Sequence, residues 1–198
     1  MGCVQSNEKP LTKNDTTSKI VIKLKPVFSD IVADKTTWNK RYELSEETKH
    51  IVKTTWTIIK QDIARVGVVT FVSLFEKYPD VQQLFVHFRG LSFEELQHNT
   101  KLRDHGLRVL NTIDKCISRL EEPERLHKLL VELAEKHIMY SIKTEYLALL
   151  VPQLLNALMP VLGDAWTDEV DSAWSAFLKH ITEIMAEGIR HHMNNQSN

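Results

Sequence analysis

From Ser45 onward, apolar residues recur at intervals of three and four, the spacing that lines one face of an α-helix. Ile51, Val52, Trp56, Ile59 and Ile63 make the first such stripe. Ser45 suits its N-cap, and Glu46 and Glu47 suit the positive end of the helix dipole. A second helix is expected over 69–77. It stops before Pro79, because a proline pushes the residue ahead of it out of the helical region. Short turns follow at 79–84 and 92–96. Leu102, Gly106, Val109, Ile113, Ile117 and Leu120 share a face of the next helix. Leu126, Leu129, Leu130, Leu133 and His137 share a face of the one after, which Pro123 opens at a position where a proline is tolerated. Two long helices, at about 144–161 and 167–192, close the chain, with Gly163 as the stop between them. Pro152 falls inside the first of these, where it removes a hydrogen bond or bends the helix. The run 20–24 alternates apolar residues with lysine only in part, so a strand there is doubtful. The expected fold class is all-α.

Residues 1–43 lack this period. They are polar and rich in Lys and Thr, and read as a flexible N-terminal arm ahead of a helical domain at 44–192 and a disordered tail at 193–198. A chain of 198 residues can bury one substantial core. Formal charge is −1, from 25 basic and 26 acidic residues, so no general attraction to nucleic acid follows. The first 26 residues carry five Lys against Glu8 and Asp15, a net of +3. That arm can lean toward anionic lipid headgroups or stay solvated. Cys3 and Cys116 are the only cysteines, which excludes a disulfide scaffold, and Cys116 reads as a small core residue. No apolar run reaches the roughly 18 residues that a membrane span needs, and no signal-peptide segment follows the start.

Two histidines stand out against this pattern. His137 continues the apolar stripe of its helix, and His105 borders the stripe of its own, one turn before Val109. Imidazoles aimed from two facing helices can hold a planar metal-bearing group such as haem between them. A lone histidine on an apolar face is more often a satisfied core or boundary residue, and with nine histidines in the chain both readings stand on spacing alone. The start of the chain carries a separate signal. Met1-Gly2-Cys3-Val4-Gln5-Ser6 fits the N-myristoylation pattern on Gly2, and Cys3 beside it suits S-palmitoylation. One myristoyl chain binds a bilayer marginally and two acyl chains anchor stably, so the pair predicts attachment to the cytoplasmic face of a membrane, the plasma membrane in the first instance.

The stretch from Leu44 to about His192 resembles a globin. Trp56 lies in the first helix. Gly67 and Gly106 stand where two globin helices cross closely. Pro79 opens the turn in KYPDVQQLF, Phe85 and Phe88 follow in LFVHFRG, His105 sits in RDHGLRVL, and His137 sits in LAEKHIMYSIK. The acylation signal and long extension resemble the subgroup called globin X, membrane-associated relatives of neuroglobin.

The resemblance implies a fold of about eight helices around a haem pocket. It implies His137 as the proximal ligand of the iron and His105 as the distal residue. His105 then either ligates the iron, giving a six-coordinate haem, or donates a hydrogen bond to a bound gas. Phe71, Phe85 and Val109 are implied as the distal wall. Arg108 and Lys143 are candidate partners of the haem propionates, since carboxylates at a pocket rim call for cations. The absence of a CxxCH run implies haem b, not covalently attached haem. The function expected is a membrane-anchored globin binding O2, NO or CO, with a signalling or protective redox role. The rival is a membrane haem redox enzyme or electron carrier, for example for nitrite or peroxide. With no flavin or nicotinamide fingerprint in the chain, it needs an external reductase.

Overall fold

A computed structural model describes residues 43–140 and 142–196. Among the described residues the chain forms eight α-helices and two 3₁₀ turns and no strand. In chain order these are α1 Glu46–Ile59, a 3₁₀ turn Lys60–Asp62, α2 Ile63–Lys77, α3 Pro79–Gln82, α4 Phe93–Gln97, α5 Thr100–Ile117, α6 Pro123–Met139, α7 Thr144–Leu162, a 3₁₀ turn Gly163–Ala165 and α8 Asp168–Gln196. The arm expected at the N-terminus, with Gly2 and Cys3, lies outside the described residues.

Local chemistry sets most of the boundaries. Ser45 Oγ accepts from the Thr48 amide at 3.1 Å and opens α1. Ser92 and Glu95 form a reciprocal capping box at α4, and Asn99 Oδ1 accepts from the Leu102 amide at the head of α5. Pro79 and Pro123 occupy the first turns of α3 and α6. Gly163, at φ +52° and ψ −124°, takes a backbone conformation open chiefly to glycine and ends α7.

Three expectations are corrected. The second helix begins at Ile63, not at 69. Ile63 therefore belongs to α2 rather than α1, at the head of the stripe Val66, Gly67, Thr70, Phe71 and Leu74. The charged run Lys60–Asp62 that hid this start is a 3₁₀ turn between the two helices. At the other end α8 continues through Gln196, past the expected start of the tail, since no Gly or Pro follows Gly188 to stop it. Finally, residues 144–165 form one helical stretch, long and apolar enough by composition to cross a membrane. The helix instead packs on α1, α2 and α8 and buries Leu147, Leu154, Ala157, Leu158 and Leu162. Its apolar character serves a core that touches it from several sides. It carries both Pro152 and Pro160 in its interior.

The buried side chains fall into two clusters. The larger, built from α1, α5, α6, α7 and α8 with Val66 of α2, centres on Trp56, Leu110, Leu130, Trp174 and Phe177. Its polar handles are satisfied: Trp174 Nε1 donates to Thr55 Oγ1 at 2.9 Å, and Trp56 Nε1 to Asp114 Oδ1 at 2.7 Å. Cys116 is buried here as expected, and burial pushes its thiol up to about 12, which leaves it an inert core residue. The smaller cluster contains Phe71, Phe75, Val81, Phe88, Leu96 and Leu102, with Phe85 against it. Val109 packs on both clusters.

Helices α2 and α5 cross backbone on backbone. A Cβ built on Gly67 lies 2.8 Å from the Gly106 Cα, and the converse distance is also 2.8 Å. No real Cβ contact is that close, so only glycine fits at either place. Gly67→Ala should destabilise the fold by about 1–3 kcal/mol through forced separation of the two helices. A denaturant midpoint unchanged from wild type would show that the crossing yields freely.

Candidate functional site

The crossing places His105, next to Gly106, directly over the second core cluster. Three phenyl rings surround its imidazole edge-on: Phe71 at 4.6 Å between centroids, Phe85 at 5.5 Å and Phe88 at 6.4 Å. Phe71 is contributed by α2, and Phe85 and Phe88 by the turn after α3. The rings pack on one another and on Phe75 as well. His105 is half-buried, and its pKa falls to about 4. Loss of water is the main cause; the nearby charge of Arg108 adds to it, as does any proton on His137. His105 is therefore neutral near pH 7, the form in which an imidazole has a lone pair to offer.

His137 approaches from α6, the helix packed against α8. Its Nδ1 lies 2.9 Å from the carbonyl oxygen of Leu133, one turn back. A carbonyl only accepts, so Nδ1 carries the proton and Nε2 keeps its lone pair. Burial lowers the His137 pKa, and the bond to Leu133 opposes that in part. The result is a neutral ring of fixed tautomer whose free nitrogen is a ligand atom. His137 is also among the groups that lower the His105 pKa.

The other candidates distribute around this pair. Phe71 is buried, Phe85 and Val109 are half-buried, and all three belong to the apolar surroundings of His105. Arg108 is exposed yet close enough to depress the His105 pKa. Lys143 sits exposed at the N-cap position of α7. Phe88 is a wall residue that the pattern of the chain did not single out as one. Its own clue was the spacing Phe85-x-x-Phe88, one turn of a tight loop. Among the described residues no group of three or more His, Cys, Asp or Glu is arranged to hold a bare metal ion.

Two neutral imidazoles in an aromatic and aliphatic setting are a donor set for a metal that arrives within a large apolar ligand. The protein-family model described as Globin matches residues 69–185. The chain belongs to the globin family. Cytoglobin-2 of Danio rerio is 29% identical over 150 residues, covering 73% of this chain and 84% of the relative. Neuroglobin of the same fish is 27% identical over 147 residues, covering 74% of this chain and 92% of the relative. In fold the globin is similar to a hexacoordinated heme protein from an anhydrobiotic tardigrade, solved at pH 4. The TM-score is 0.72 at 20% identity, over 76% of this chain and 98% of that one.

The globin carries a haem cofactor and binds diatomic gas. The residues present fit the group: a lone-pair nitrogen on a ring fixed by Leu133, and a second neutral imidazole on α5. The apolar rings around His105 suit a porphyrin face.

Proposed function

We propose that this globin is a membrane-anchored, six-coordinate haem protein in which His137 holds the iron and His105 competes with gas for the opposite position. When bound, haem b supplies an iron that takes O2, NO or CO. The observation that carries this reading is the pairing of a Leu133-fixed His137 tautomer with a neutral His105 held in a phenyl cage. Phe71, Phe85 and Val109 keep water from the distal side and offer no hydrogen bond of their own. Arg108, and Lys143 at the start of α7, are the cations proposed for the propionate edge. An absorption spectrum of the purified ferrous protein tests the assignment. Bis-imidazole iron gives a six-coordinate low-spin spectrum, and a five-coordinate high-spin spectrum rejects it.

The start Met1-Gly2-Cys3, with Ser6, supports anchoring at the cytoplasmic face of the plasma membrane and a place in the acylated, globin X-like subgroup. A protein held at a membrane does not carry gas through the cytosol, which favours a signalling or protective redox role over bulk storage. Gly2→Ala should release the protein to the soluble fraction, because the myristoyl chain comes first. Cys3→Ala should leave only weak, reversible binding. A Gly2→Ala protein that still sediments wholly with membranes would place the anchor elsewhere.

A second reading rests on the same two imidazoles. Bis-imidazole iron also suits an electron carrier or a redox enzyme that acts on nitrite or peroxide once His105 moves aside. Turnover of nitrite by the purified protein with an external reductant separates it from gas binding alone.

A further inference from the structure

We propose that Gln82 is a positioning residue for His105, acting by fixing the turn that carries two of the three phenyl walls; the role rests on the six-coordinate reading above. Gln82 ends α3, a helix of four residues, and is itself buried. Its side-chain amide donates to the Phe88 carbonyl at 2.7 Å and to the Leu91 carbonyl at 2.9 Å. Both of its N–H groups are thereby used. Its main-chain carbonyl accepts from the Phe85 amide at 3.0 Å. One residue thus brackets both rings, Phe85 through the backbone and Phe88 through the side chain.

The turn has little else to define it. Phe88 N donates to Phe85 O at 2.8 Å, Leu91 N to Phe88 O at 3.3 Å, and the chain reverses at Gly90 with φ +72°. A second clip, from Arg89 Nε to Gln83 O, is exposed, where water can replace it. The Gln82–Phe88 bond is buried, and no solvent stands in for a buried donor when it is lost. An apolar side chain would fill the same volume but leave the backbone of the turn free to drift. The amide therefore does what packing alone does not: it holds the carbonyls of Phe88 and Leu91 at a fixed distance from α3.

His105 is wedged among rings that this turn controls. Phe71 stays with the α2 scaffold, while Phe85 and Phe88 move with the turn. For His105 to leave its place, those two rings have to give. Gln82 accordingly sets how fast the distal imidazole departs, without touching gas or iron.

The test uses the full-length holoprotein with two substitutions. Gln82→Met keeps the volume and removes both donors. Gln82→Glu keeps the shape and replaces the donors by a carboxylate that repels the two carbonyls. In ferrous protein at saturating CO, where departure of His105 limits binding, the limiting rate should rise roughly tenfold, the equivalent of one buried hydrogen bond. Amide hydrogen exchange across residues 83–91 should quicken in parallel. In a His105→Leu background the same substitutions should leave CO association within about twofold, the ordinary range for independent sites. An equal acceleration in both backgrounds overturns the role, because Gln82 would then act on the pocket at large. Unchanged exchange across the turn in both variants also overturns it. A five-coordinate wild-type ferrous spectrum overturns the coordination reading itself, and is seen before any variant is made.

Discussion

Replacement of His137 by alanine should strip the protein of haem. An imidazole whose tautomer is fixed by a backbone acceptor, at 2.9 Å from Leu133, is removed, and the stripe of α6 then ends in a methyl group. Changes to a ligand's outer supports alone cost about 10–100-fold in metal affinity, so loss of the ligand should cost more than about 100-fold. His105 does not compensate, because it sits on α5 within its own cage of rings. The measurement is haem retained after gel filtration, read as Soret absorbance per chain, with far-ultraviolet dichroism to show that the helices persist. Full occupancy with a wild-type spectrum would sink the assignment of His137.

The second large effect is expected at His105. If its imidazole occupies the iron, gas binds only to the fraction of molecules in which it has moved away. A competent state populated at about 0.1–10% lowers apparent affinity by the same fraction, so His105→Leu should raise it by roughly 10- to 1,000-fold. The ferrous spectrum should change from six- to five-coordinate, CO association should quicken, and the ferrous protein should oxidise faster in air for want of a distal hydrogen-bond donor. Leucine keeps the apolar surroundings of Phe71, Phe85 and Phe88, so the helices should be unaffected. A wild-type spectrum already five-coordinate, and unaltered in type by the substitution, rejects ligation and favours simple reversible oxygen binding.

Much of this architecture was legible because it is written locally. Ser45, Pro79, Pro123 and Gly163 act within one turn of themselves, and each marks a boundary found in the fold. The stripe of α6 delivered His137, and its Leu133 acceptor lies one turn away on the same helix. The crossing of Gly67 with Gly106 was legible only through resemblance to a family, since nothing within α2 announces α5. What escaped notice depends on tertiary contact. Gln82 reads as one polar residue in a polar turn, and only the folded chain shows its amide buried against two carbonyls. Spacing alone does not decide the helix of Ile63, because its period continues from α1 as well as it begins α2. The length of apolar sequence in α7 was missed because Gln153, Asn156 and two prolines interrupt the run without interrupting the helix.

The glycine crossing also decides which parts of the pocket are stiff. Where two backbones touch with no side chain between them, there is no rotamer to flip and no soft contact to compress. The α2–α5 pair is therefore a fixed beam, with Phe71 on one member and His105 on the other. Compliance on the distal side is left to the imidazole torsions and to the short span after α3. In mechanical terms the protein has a rigid frame and one spring, so its gas kinetics can be retuned by altering the spring while the frame, and the fold with it, stays as it is.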